Sequence, residues 1–153
     1  MSLNSAPSTL DLDRAEKLRE AIEALNEANE LVPVIVEGKR DAAALRSLGL
    51  EGDIITLHAG RTIHDFCEDV LERYDRVMLL LDWDAKGDAL LTALQSGLKG
   101  RWEEFSPFRN TIRNLCQKDI KDIEGIPKLL KRLEGPEGPF RQDIDNLSGL
   151  IKR

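Results

Sequence analysis

The 153-residue sequence is poor in cysteine, histidine and aromatic side chains. Its two cysteines, Cys67 and Cys116, lie far apart with no Cys-x-x-Cys spacing, which excludes a disulfide framework. Each sits among apolar helical neighbours, so both read as buried free thiols in a reducing cytoplasm. The two histidines, His58 and His64, fall on different elements, which argues against a zinc site. No Gly-x-x-x-x-Gly-Lys-Ser/Thr loop is present, excluding that mode of nucleotide binding. No apolar run approaches transmembrane length and no signal peptide is evident, so a cytoplasmic location is expected. The single tyrosine, Tyr74, ends a helix just before a strand and reads as packing rather than as a nucleophile. Repeats and low-complexity tracts are absent as well.

The charge is also informative for what it is not. A formal net charge of −6 argues against a protein held to nucleic acid by global charge alone. That charge is uneven, however. Residues 97–132 carry nine Lys/Arg against five Asp/Glu, whereas residues 32–96 carry seven against twelve. An acidic centre beside a basic flank suits a metal site with a phosphate-bearing substrate, and equally a set of solvated faces.

What is present is a βα alternation. A helix from about Leu10 to Asn29 places Leu18, Ile22 and Leu25 on one face, with Thr9 or Asp11 as its cap. Val32 to Val36 is continuously apolar and β-branched, as in a strand buried on both faces. Glu37-Gly38-Lys39-Arg40-Asp41 follows, then a helix closed at Gly49. Asp53–Leu57 is the second strand, ending at His58-Ala59-Gly60, and a helix from about Thr62 runs to Tyr74. Arg76–Leu81 is the third strand, with a helix expected over Asp88–Leu98. Further on, Gly100–Phe105 reads as a short strand or a loop. Helices are expected over Pro107–Cys116 and Ile126–Leu133, and Asp119–Ile123 reads as a brief fourth strand or a turn. Pro127 suits a first helical turn, and a loop follows from Gly135. Trp102 and Phe105 read as core, with stacking on bases as the alternative.

The alternation implies a three-layer α/β fold with a mostly parallel, Rossmann-like sheet of about four strands. The expected organisation is a tail and packing helix over 1–31, a core over 32–100 and a helical extension over 101–153 packed on it. Ligands of such sheets bind outside the carboxyl ends of the strands, where Glu37 would meet Asp82 and Asp84. In extended backbone Asp82 and Asp84 point the same way, roughly 6–7 Å apart. Two ionised carboxylates that close repel unless a cation sits between them, and open oxygen coordination favours Mg²⁺. The plainer alternative is a strand-to-helix junction in which Asp84 caps the next helix. Trp83 should point away from both acids, into packing.

Val34-Ile35-Val36-Glu37-Gly38-Lys39-Arg40-Asp41 and Leu81-Asp82-Trp83-Asp84-Ala85-Lys86-Gly87-Asp88 together resemble a Toprim domain. That catalytic fold is shared by topoisomerases, bacterial-type primases, some nucleases and the 5S-rRNA maturation nucleases. Lys86 stands where type IA topoisomerases usually have glutamate, and the Lys after Glu-Gly sets the chain apart from primases. The pairing looks most like the small maturase-type, stand-alone Toprim proteins. The resemblance implies Glu37 as general acid/base, with Mg²⁺, or Mn²⁺ in its place, held by Asp82, Asp84 and Asp88, the last through water. It also places Lys39, Arg40 and Lys86 to meet substrate phosphates, and Gly38 and Gly87 to keep the backbone approach open. His58 and Gly60, at the end of the second strand, are further candidates for touching substrate. The expected function is Mg²⁺-dependent phosphodiester chemistry on RNA or DNA, in RNA processing or DNA replication and repair. Its partners would be nucleic acid and, beyond that, a protein partner or a second copy of the chain, with no membrane. A non-catalytic nucleic-acid-binding or adaptor subunit is the alternative. A haloacid-dehalogenase-type phosphatase fits less well, because its Asp-x-Asp follows the first strand.

Overall fold

Ser8 sets the start of the chain's first helix, α1 (Thr9–Asn29): its hydroxyl accepts the Asp11 N–H at 3.0 Å, and the Asp11 carboxylate accepts the Ser8 N–H in return. The cap therefore lies one residue before Thr9, and Asp11 completes the capping box instead of capping on its own. The computed structural model describes residues 7–57 and 60–136. His58 thus lies outside the described residues, as does the part of the expected helical extension beyond residue 136.

After α1 come β1 (Val34–Val36), α2 (Lys39–Ser47), β2 (Ile54–Thr56), α3 (Ile63–Arg73), β3 (Met78–Leu79) and α4 (Ala85–Gly97). The three strands form one parallel sheet in the order β2-β1-β3, with Val34 opposite both Ile54 and Met78. Moving from β1 outward to β2 and then back across β1 to β3 reverses the direction of the connection. With right-handed crossovers, α2 and α3 must then lie on opposite faces. The side chains confirm this. Val34, Val36, Met78 and Leu80 pack with residues of α1, α2, α5 (Ser106–Cys116) and α6 (Ile126–Glu134). Ile35, Val77, Leu79 and Leu81 pack with Phe66, Cys67 and Val70 of α3 and Leu94 of α4. The strict alternation along 77–81 is the period-2 pattern of a strand covered on both faces.

Some expectations change. The third strand is shorter than residues 76–81, because Val77 N–H turns to Arg101 O at 3.1 Å and only Leu80 N–H continues the pairing, to Ile35 O at 2.9 Å. Helix α4 begins at Ala85, three residues before the expected start, because Asp84 caps it. Residues 100–105 hold a turn of 3₁₀ helix at Glu103–Phe105. Segment 119–123 is a turn and not a fourth strand, so the sheet has three strands among the described residues. Only Trp83 N–H pairs with it as a strand neighbour would, through Lys121 O at 3.0 Å; Ile123 N–H goes to a carboxylate, and no ladder forms. Both cysteines are free and buried, as expected, and burial pushes the Cys116 thiol up to about 11. Trp102 and Phe105 serve packing: the Trp102 Nε1–H donates to Gln95 O at 3.1 Å, and Phe105 stacks on Phe108 with centroids 6.3 Å apart. No helix among the described residues is long and apolar enough to cross a membrane.

The end of α1 is tied to the sheet by Asn29, which is 2% exposed. Its amide donates to Val32 O and Asp53 O, both at 3.0 Å, and its oxygen accepts the Gly52 N–H at 2.8 Å. Gly52 is obligatory there, since a Cβ would fall 1.9 Å from Asn29 O. Asn29→Ala leaves Val32 O and Gly52 N–H without partners and Asp53 O with the Val34 N–H alone, and is expected to cost about 1–3 kcal/mol. Urea denaturation of the variant checks this, and a loss within about 0.5 kcal/mol, the usual size of a surface change, would show that the bridge is dispensable.

Candidate active site

Two parallel neighbours, β1 and β3, deliver their acids to the same edge of the sheet. Glu37 follows β1 directly, and Lys86, in the first turn of α4, reaches across to it with Nζ 2.7 Å from Oε1. The Lys86 ammonium is held above its ordinary pKa, first by this hydrogen bond and then by the charges of Glu37, Asp84 and Asp82. Gly38 is extended and a Cβ on it would meet nothing within 4 Å, so the approach over β1 is open. Its N–H donates to Asp41 at 3.1 Å, which folds that carboxylate back under Glu37 at the start of α2.

Asp82 is 9% exposed, and its Oδ1 accepts the Ile123 N–H at 2.9 Å. Asp84 caps α4 by accepting the Gly87 N–H at 2.7 Å. The capping role weighed against a metal role is thus real, and it uses Oδ1 alone. Gly87 is required by packing, because a Cβ there would lie 2.1 Å from Asp82 O. Trp83 points away into the core with its Nε1–H on Ile120 O at 2.7 Å, as expected.

The basic residues divide. Lys86 faces Glu37, Arg40 lies on the exposed side of α2 with Nη1 3.9 Å from Glu124, and Lys39 is exposed beside it. Gly60 adopts φ +83° in the turn before Thr62, which caps α3. Together with Leu57, Ile63, Leu90, Glu37 and Lys86 it lines an open cleft of about 440 Å³. Asp88 extends outward and pairs with Arg109 at 2.9 Å.

Four residues matter here that the sequence reading gave no role. Asp41 is as buried as Asp82, and Asp122 and Glu124 bring further negative charge from the 119–125 turn. Arg109 is buried on α5, donating from Nε to Leu81 O at 2.7 Å and from Nη2 to Asp82 O at 2.6 Å. Its signal was available: Arg109, Ile112 and Cys116 are the buried positions of α5, so an arginine stands in the core stripe.

The electrostatics follow from this crowding. Burial, then the charges of Asp41, Glu37 and Asp122, push the Asp82 carboxyl up to about 6 against the lowering effect of the Ile123 N–H. Asp41 is raised in the same way, chiefly by burial. Each of Asp82, Asp84 and Asp41 spends one oxygen on a backbone N–H, and among the described residues the other oxygen has no hydrogen-bond donor. Oxygen donors held together at a cost in charge are what a hard divalent cation relieves, and Mg²⁺ needs only one or two of them beside its waters. The residues present therefore fit Mg²⁺. The tightest trio of potential ligands among the described residues lies elsewhere, at His64, Asp65 and Glu68 on α3, where exposed side chains follow helical spacing and His64 pairs with Glu68 at 3.2 Å.

The raised carboxyl has a consequence for the metal-free protein. The folded state holds its proton on Asp82 more tightly than the unfolded chain does, so stability contributed by this group falls as pH rises from about 4 to about 6. Asp119, lowered chiefly by Arg14, acts in the opposite sense only below about pH 4. Asp82→Asn keeps an acceptor for Ile123 and removes the charge. It is expected to raise the chelator-treated melting temperature at pH 7 by roughly 2–6 °C and to flatten its pH dependence. A lower melting temperature with the slope intact would show that the charge is not strained.

The Toprim domain model matches residues 32–124. A UPF0292 protein of Methanosarcina barkeri is 34% identical over 126 residues, covering 78% of this chain and 85% of its own. A UPF0292 protein of Thermoplasma volcanium is 38% identical over 106 residues, covering 68% and 87%. A solved structure of a protein from Aquifex aeolicus superposes with a TM-score of 0.54 at 27% identity, covering 69% of this chain and 94% of that one. Toprim domains bind Mg²⁺ through acidic residues, and the domain points to metal-dependent nucleic-acid processing. With the fold, the matched span and these relatives in agreement, the chain belongs to the Toprim family and groups with the UPF0292 proteins.

Proposed function

We propose that the protein is a Mg²⁺-dependent nuclease acting on structured RNA or DNA. The observation that supports this best is the 2.7 Å contact between Lys86 and Glu37, which joins the β1 and β3 ends into one site holding a base, two acids and a cation. In this reading Asp82 and Asp84 hold Mg²⁺, or Mn²⁺ in its place, with their free oxygens. The bound ion would supply charge stabilisation to a phosphodiester. Glu37 uses Oε2, the oxygen not bonded to Lys86, to take the proton of the attacking hydroxyl or water or to return it to the leaving oxygen. Lys86 stays protonated because Glu37 and the two aspartates raise its pKa, and its remaining N–H groups are free for a phosphate oxygen. Lys39 and Arg40 extend that phosphate track along α2. The cleft beside Glu37, with Leu57, Ile63 and Leu90 on its walls, has the size of a small-ligand pocket and seats the sugar or an unstacked base.

The same ion pair favours one other reading. Lys86 satisfies Glu37 inside the protein, as it would in a binding module or adaptor subunit that never uses the base.

The experiment that separates the two is cleavage of a mixed pool of structured RNA and DNA, with and without chelator. Nuclease action is expected to require Mg²⁺ or Mn²⁺ and to drop roughly 10²–10⁴-fold in Glu37→Gln. Absence of cleavage, together with nucleic-acid binding that survives both chelator and Asp82→Asn, would replace the nuclease with the binding module.

A further inference from the structure

We propose that Arg109 is the positioning residue of the acid site, and that Asp88 serves Arg109 as its counter-ion instead of holding the cation. This rests on the reading that Asp82 and Asp84 take a divalent cation. The main-chain bonds of the β3 end come first. The last sheet bond is Leu80 N–H to Ile35 O, so the carbonyls of Leu81 and Asp82 leave the sheet without a strand to accept from. Arg109 takes both, at 2.7 and 2.6 Å. A guanidinium is planar and its donors are fixed relative to one another, so bonding two successive carbonyls sets the peptide planes on either side of the Asp82 Cα. The carboxylate of Asp82 is then held from the other side by Ile123 N–H. Position and direction of this acid are thus both set from beyond α4, by α5 and the 119–125 turn.

Burial makes the second half of the assignment. Arg109 is 4% exposed, and a guanidinium that far from water must be paired. Among the described residues its one carboxylate partner is Asp88, at 2.9 Å from the Nη2 that also bonds Asp82 O. Asp88 itself is 61% exposed at its side chain and could reach solvent freely, yet it turns back to Arg109. Its Oδ1 is thus paired with a buried cation, whereas Asp82 and Asp84 bond only backbone N–H groups and, among the described residues, have no ion-pair partner. Groups that orient metal-binding side chains in this way typically account for a 10–100-fold difference in metal affinity.

The test reads the Mg²⁺ concentration giving half of the maximal rise in melting temperature, starting from metal-free protein at pH 7.5. Arg109→Lys is expected to raise that concentration about tenfold or more. Asp88→Asn, which leaves both carbonyl bonds in place and an amide oxygen for Arg109 to bond, moves it in the same direction, and Asp88→Glu restores it. Because the two act as one unit, the double variant is expected to match Arg109→Lys within about twofold. Arg101→Lys is the control for a purely structural loss. Arg101 likewise donates to two carbonyls, Leu71 O at 2.7 Å and Tyr74 O at 2.8 Å, away from the acids, so its loss lowers the metal-free melting temperature without moving the Mg²⁺ midpoint. An unchanged midpoint in Arg109→Lys, or additive losses in the double variant, overturns the assignment while leaving the cation site standing. A wild-type protein that shows no Mg²⁺ response overturns the cation site and this assignment with it.

Discussion

Carboxylates lose their hydration when they enter a protein interior, and this molecule places two of them, Asp41 and Asp82, at less than one-tenth exposure within one crevice. The local architecture answers that strain. Backbone N–H groups from Gly38, Gly87 and Ile123 each give one hydrogen bond to an acid. Lys86 offsets Glu37, and Arg109 gathers the carbonyls behind Asp82. These compensations are partial: the pKa values of Asp82 and Asp41 stay raised, so the protein alone does not neutralise the crevice. Carboxylates left raised in this way mark a place where a bound cation would be stabilising.

The sheet makes this arrangement possible. With β1 between β2 and β3, a residue following the central strand stands beside residues following either neighbour. Glu37 and Asp82 come together although the chain between them builds two helices and two strands. The two cores on opposite faces of the sheet hold its strand ends in register, so the meeting point is backed by rigid structure.

How much of this could be read from the amino-acid order depends on where each signal lies. The helices of the first hundred residues and the two acidic strand ends are written locally, as period-2 runs, apolar spacing at 3.6, and glycine after acid. The site's second wall was not legible in that way. Asp122 and Glu124 sit in a segment with no periodicity, and nothing nearby in the chain says that it lies against Trp83. Segment 119–123 has the composition of a strand, yet Ile123 N–H serves a carboxylate 41 residues away, and such a bond has no trace in the sequence. Arg109 is intermediate: its place in the buried stripe of α5 is visible, but its acceptors, two carbonyls at a strand end, are not. The cap formed by Asp84 uses one of its two oxygens, so it does not conflict with a metal role for the other.

The two glycines of the motifs, alike on paper, differ in what surrounds them. Around Gly38 there is space, while Gly87 is pressed against the Asp82 carbonyl. Side-chain growth is thus closed on the α4 side and open on the α2 side. A side chain can therefore be added at the entrance of α2 without displacing anything, whereas any added at the β3–α4 junction must push the Asp82 carbonyl out of place. What enters over the acids is thus adjustable from one side only, by bulk or charge at residue 38.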